Sequence, residues 1–198
     1  MENQETLIPA VAVKGIASGL LMMALFTLAW AGMAFSGLHG TTAAWVLIVF
    51  PVLAGTFISK AITLFAVAKH HPQLETDEDK AEGKKMGKWF GIIFGAEGLL
   101  IFIGVNVVIN LGHPELTIPT IALVVGLHFF PLAKVFKRTL DYYLATWSTL
   151  VAVSAIILSL NHTLTQAAAA AFTGIGLAIA TSGYGLFMMY KGNHLNRY

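Results

Sequence analysis

The sequence predicts an all-α fold, a polytopic membrane bundle of six transmembrane helices that occupies residues 1–198 as a single integral membrane domain. Three observations carry this reading. Only 11% of the residues are charged and 57% are hydrophobic, against roughly 25% charged residues in an ordinary soluble domain. Six apolar stretches, residues 15–36, 42–68, 89–111, 119–136, 142–160 and 167–190, match the roughly 20 residues that cross a hydrocarbon core. Lys and Arg fall before the first stretch, between the second and third, between the fourth and fifth, and after the sixth; the other three connections contain neither. By the positive-inside rule, both termini are then cytoplasmic.

The first span follows the acidic start MENQETLIPAVAVK. Its apolar run exceeds the about 7 to 15 residues of a signal-peptide core, so a retained helix is expected despite the cleavage-like Ala29-Trp30-Ala31. The second span contains Pro51, a candidate kink, and Lys60, the only Lys or Arg away from the ends of a span. Thr56, Ser59, Lys60 and Thr63 recur at helical spacing, which puts three hydroxyls on the face that carries the ammonium.

The connection 69–88 passes from an acidic block to a basic one and reads as a solvated loop. Its Lys80, Lys84, Lys85 and Lys88 lie where anionic lipid head groups would attract them. Gly87, Gly91, Gly95 and Gly98 then form a smooth ridge on the third span, a surface that lets another helix approach closely. Glu97 lies about 115° around the helix from that ridge, and Asn106 points away from Glu97, at 100° per residue. In the fourth span, Pro131 removes the helical donor to the Leu127 carbonyl beside His128. The fifth span has no such feature, and the sixth offers a small-residue face at Gly176, Ala180 and Gly183.

The outer turns resemble one another: Ser36-Gly37-Leu38-His39-Gly40, Asn110-Leu111-Gly112-His113-Pro114 and Ser159-Leu160-Asn161-His162-Thr163. Three helical hairpin repeats in parallel orientation are compatible with this pattern. His39, His113 and His162, with Glu115 nearby, define a minor candidate for an outer metal or pH-sensing site, although no recognised metal spacing supports it and no metal is expected.

Lys60, Glu97 and His128 lie at similar depth, about 12 to 13 Å from the end assigned to the cytoplasm at a rise of 1.5 Å per residue. Ionisable groups at such depth define a binding or proton-coupling site by default. An unpaired carboxylate there would be strongly destabilising, so Glu97 is expected to be protonated or paired, with Lys60 as the preferred partner and His128 as a third member. Thr56, Ser59 and Thr63 would supply secondary polar contacts. Lone structural roles for all three groups, with Lys60 snorkelling to the head groups, are the competing reading.

Several classes are disfavoured. Cysteine is absent, which excludes disulfides and thiolate chemistry. No hydrolase, zincin, nucleotide or dinucleotide motif occurs in the needed context. The basic residues form no folded face for nucleic acid, so no nucleic-acid partner and no cofactor are expected. Thr181-Ser182-Gly183-Tyr184-Gly185 matches a potassium-channel filter at four of five positions, but it lies near the end of the last span, whereas a filter belongs to a loop.

The string Gly126-Leu127-His128-Phe129-Phe130-Pro131-Leu132-Ala133-Lys134 resembles a segment of small bacterial multi-pass membrane proteins without an established activity. The resemblance implies a bacterial inner membrane as the location. The expected function is a small transporter or permeability protein for an unknown solute or ion, with an intramembrane polar site suited to proton linkage. A membrane scaffold or accessory subunit and an intramembrane lipid-acting enzyme stay open as alternatives, as does a homo-oligomer. Of these, the enzyme is the less favoured, and it predicts a lateral opening lined by His128 and Glu97.

Overall fold

Six helices long and apolar enough to cross a membrane make up most of the chain. In hydrocarbon each backbone N–H and C=O must find its partner within the protein, which continuous helices achieve segment by segment. The computed structural model describes residues 9–72 and 76–195. The helices are α1 (Ala10–Leu38), α2 (Val49–Ala68), α3 (Asp77–Asn110), α4 (Thr117–Phe136), α5 (Thr139–Leu160) and α6 (Gln166–Leu195). Short 3-10 turns, Thr42–Ile48 and Pro114–Leu116, lead into α2 and α4, and the described residues contain no strand.

Two boundaries differ from the sequence expectation. Pro51 lies in the first turn of α2, not in a helix interior. Its fixed φ suits a first turn, and α2 follows directly on the 3-10 turn Thr42–Ile48. The expected loop 69–88 is helical from Asp77 onward, while residues 73–75 lie outside the described part. Thr76 and Asp79 form a reciprocal capping box: the Asp79 N–H donates to Thr76 Oγ1 at 3.1 Å, and the Thr76 N–H donates to Asp79 Oδ2 at 3.0 Å. Asp77, Glu78 and Asp79 also place negative charge at the positive end of the helix dipole.

This cap is pH-dependent. Hydrogen bonds from the Thr76 backbone and hydroxyl hold the Asp79 carboxyl below its ordinary value, in the polar turns that precede the apolar stretch. A depressed carboxylate contributes fully above its unfolded value and loses that contribution as pH falls through the folded one. Thr76→Ala at neutral pH, or strong acid with the native chain, should therefore lower the protection factor of the Asp79 amide, its exchange rate being compared with the intrinsic rate at the same pH. Unchanged protection in both cases would show that the box does not hold the helix start.

α6 is the hub. It packs along α1 most extensively and also meets α5, α2 and α4, while α1 pairs with α2, α4 with α5, and α3 with α4. Neighbours therefore run α2, α1, α6, α5, α4, α3. Small residues allow the tight α1 and α6 contact. A Cβ added to Gly174 would come within 2.5 Å of the Ala34 nitrogen and 2.7 Å of the Trp30 carbonyl. Thr27 donates to Thr181 Oγ1 across the same interface at 3.0 Å, and Thr181 in turn donates to the Leu177 carbonyl at 3.1 Å.

The glycine expectations divide. Gly176 meets Val151 and the neighbouring Ala180 is buried, but nothing approaches Gly183. The ridge Gly87, Gly91, Gly95 and Gly98 likewise has no neighbour. The reason is that α3 is the outermost helix, contains no buried residue and turns a different face toward α4. The three turns that join α1 to α2, α3 to α4 and α5 to α6 share a backbone feature: each has one residue at positive φ, Gly40 at 81°, Gly112 at 83° and His162 at 55°.

Candidate functional site

Glu97 on α3 and His128 on α4 meet inside the apolar zone. Their side chains are 11% and 7% exposed, and Glu97 Oε1 lies 3.4 Å from His128 Nδ1. Local sequence positions both. Phe90, Phe94, Glu97 and Ile101 repeat at intervals of three and four, the spacing of one helical face. Phe94 stands edge-on to the His128 imidazole at 5.3 Å between centroids, and Phe129 covers it from the other side at 4.2 Å. The ring is thus held by aromatic contacts, with the Val125 backbone as its hydrogen-bonding neighbour one helical turn back.

The contact is longer than a good N–H···O bond, whose donor and acceptor stand about 2.7 to 3.2 Å apart. Among the described residues neither nitrogen of His128 makes a hydrogen bond of good geometry, and neither does the buried hydroxyl of Ser148. Two spaces border these groups. One is a cavity of about 200 Å³ inside the bundle, lined by Glu97, His128, Trp30, Ser148 and Thr181 among others. It is many times larger than the roughly 10 to 15 Å³ that holds one water. The other is a lateral groove of about 250 Å³ between α3 and α4, with Glu97 and His128 beside Ile92, Leu100 and Leu127. The pair therefore stands between two partly open spaces, one facing α1, α5 and α6 and the other the side of the bundle.

Lys60 lies elsewhere. It is half-buried on α2, and no described carboxylate comes within ion-pair distance of it. The expected Lys60 and Glu97 pair is not made, because the long connection after α2 lets that helix fold back on α1 while α3 packs on α4. Thr56, Ser59 and Thr63 are exposed on the outer face of α2. Thr56 and Thr63 donate to the Leu53 and Ser59 carbonyls at 2.6 and 3.1 Å, so the stripe satisfies itself within its own helix. Asn106 also bonds within its helix, to the Phe102 carbonyl at 2.7 Å, and stays apart from Glu97.

Of the outer histidines, His113 and His162 both lie near enough to Glu115 to interact with it electrostatically, and His39 does not. His113 Nδ1 lies 2.9 Å from Glu115 Oε1, His39 stacks edge-on to Phe35 and His162 occupies its own turn. Among the described residues no group of three His, Asp or Glu side chains is arranged to hold a metal ion. The filter-like pentapeptide is continuous helix: Thr181 bonds Thr27, Ser182 is buried and Gly185 lies against Phe57.

One buried polar cluster escaped sequence reasoning. Arg138 Nη1 donates to the Tyr184 hydroxyl at 3.1 Å, and Tyr184 hydrogen bonds to Asp141, which is only 2% exposed. The Arg138 guanidinium also lies 5.1 Å over the Phe136 ring. Arg138 and Asp141 stand three apart at the start of α5, a visible signal, but the third member arrives from α6. That partnership joins the ends of α5 and α6 and turns a charged residue into part of the core.

No family model, curated protein or solved structure matches the chain. What the fold defines is a multi-pass helical membrane protein. Beside the Arg138, Asp141 and Tyr184 cluster, its second buried set of ionisable groups in contact among the described residues is Glu97 with His128.

Proposed function

We propose that this chain is a small transporter or permeability protein, placed in a bacterial inner membrane with both termini cytoplasmic, and that Glu97 and His128 form its proton-exchanging site. The observation that carries the proposal is the position of the pair between the interior cavity and the lateral groove. A carboxyl and an imidazole can share one proton, either as a neutral pair or as carboxylate with imidazolium. Closing the 3.4 Å gap to hydrogen-bond length would let the proton pass between Oε1 and Nδ1. A solute that enters the cavity beside Ser148 and Thr181 changes the polar surroundings of one partner and so biases the proton's position.

The test uses the purified chain in liposomes loaded with pyranine, a soluble pH reporter. An acid pulse is applied alone and with a series of inorganic ions and small organic anions outside. Acidification faster than in protein-free liposomes, for at least one member of the series, is the expected result. Rates equal to protein-free liposomes throughout, together with a constant co-purifying partner, would overturn transport and favour an accessory subunit.

The lateral groove favours a second reading, chemistry on a lipid that enters between α3 and α4. Glu97 and His128 would then serve as acid and base, and no hydroxyl nucleophile lines that groove. Turnover of bilayer phospholipid that depends on both residues would support it over transport.

A further inference from the structure

The groove between α3 and α4 does not end at Glu97 and His128. A larger space of about 830 Å³ opens at the basic end of the bundle, lined by Lys85, Trp89, Lys134 and Lys137 with the apolar Met86 and Val135. It shares Ile93 and Pro131 with the smaller lateral groove. The two spaces therefore form one trough. From Lys85 to Glu97 it extends about 18 Å along α3 at 1.5 Å per residue. That length is close to one leaflet of a hydrocarbon core about 30 Å thick.

Its chemistry changes along its length. The lower walls carry three ammonium groups and one carboxylate, Glu82, which lies 3.4 Å from Lys137. No described carboxylate lies within ion-pair distance of Lys85 or Lys134. Trp89 stands at the same level, the residue type that prefers the boundary between head groups and hydrocarbon. Above it, Val124, Leu127, His128 and Pro131 present one face of α4, opposite Ile93, Ala96 and Leu100 of α3. A cationic mouth that leads into an apolar trough one leaflet long complements an anionic head group carrying an acyl chain.

We infer that this trough binds one anionic phospholipid, with its phosphate at Lys85, Lys134 and Lys137 and an acyl chain lying along α3 and α4 toward the Glu97 and His128 pair. A second copy of the chain is a poorer occupant, because a two-fold contact here would bring the same three lysines face to face. A zwitterionic lipid would fill the apolar part but leave the lysines without a net negative partner. The inference does not require transport. A bound lipid covers the lateral side of the pair whether or not a solute moves through the interior.

Native mass spectrometry of the full chain, released from mixed micelles with phosphatidylglycerol or phosphatidylcholine, tests it. One phosphatidylglycerol should be retained in preference to phosphatidylcholine. Combined K85Q, K134Q and K137Q should lower that preference about tenfold or more, since each lysine near an anionic surface contributes on the order of a fivefold effect. K14Q with K191Q, which removes two basic residues that do not line the trough, should leave it unchanged. Chains brominated just below the head group should also quench the native protein, by more than they quench Trp89→Phe, when carried by phosphatidylglycerol.

Equal retention of the two lipids would overturn the site. So would equal losses from the two sets of lysine variants, which would mean diffuse attraction to the whole basic end. Displacement of the lipid by equimolar soluble glycerol phosphate would remove the acyl-chain part. Lipid selectivity without solute-dependent acidification would sink the transport reading and leave this site standing, and acidification without selectivity would do the reverse.

Discussion

Glu97→Gln should reduce solute-dependent proton movement in pyranine-loaded proteoliposomes by about a hundredfold, since a positioned acid or base typically contributes ~10²–10⁴-fold to a proton-transfer step. Glutamine keeps the shape and the polarity of the side chain but cannot release a proton. His128→Leu should act similarly by removing the partner 3.4 Å away. Because the two groups work as one unit, the double variant should be little worse than either single one. Lys60→Met is the matched control: that ammonium has no carboxylate partner among the described residues and lies on a helix that packs against α1 and α6. Native rates in Glu97→Gln would remove the pair from the mechanism, and a large loss in Lys60→Met would return Lys60 to it.

Gly174→Ala should destabilise the bundle by about 1 to 3 kcal/mol, the usual cost of forcing a methyl group into a packed interface. The new Cβ would lie 2.5 Å from the Ala34 nitrogen, 2.7 Å from the Trp30 carbonyl and 2.9 Å from the Ala34 Cα. All three are backbone atoms, so no side-chain rotation relieves the contact and α1 must move away from α6. Gly95→Ala provides the contrast, because nothing lies within 4 Å of that site. There the change should be neutral or stabilising by up to about 1 kcal/mol through helix propensity. Unfolding of both variants in mixed detergent micelles with increasing sodium dodecyl sulfate would read the difference. A Gly174→Ala protein as resistant as Gly95→Ala would mean that the α1 and α6 contact is looser than the structure places it.

The same contrast shows how far small residues can be read. The α3 ridge is more regular than the α6 face of Gly176, Ala180 and Gly183, yet no described residue approaches it. Spacing reveals that a close approach is permitted. It does not reveal which helix makes it, because every exposed face in a bilayer is apolar and hydrophobicity alone does not choose among neighbours. Lys60 illustrates the same limit from the polar side. Its hydroxyl stripe suggested a protein-facing surface, but threonine can return its hydrogen to its own helix and then needs no neighbour. Glu97 and His128 were brought forward by depth, a property of sequence position. Their contact depended on the face of α3 that carries Phe90 and Phe94 turning toward α4.

By itself the sequence determined six helices and the level at which each polar residue lies, because backbone hydrogen bonding within each segment and the thickness of the hydrocarbon core allow little choice along the membrane normal. Which helices stand side by side was decided only in the tertiary structure. The order α2, α1, α6, α5, α4, α3 separates Lys60 from Glu97 and brings His128 to it, and it joins Arg138 and Asp141 to Tyr184 across α5 and α6. Lateral order follows from contacts among backbones and side chains far apart in the chain, such as Gly174 against Ala34, and no local periodicity encodes those pairings.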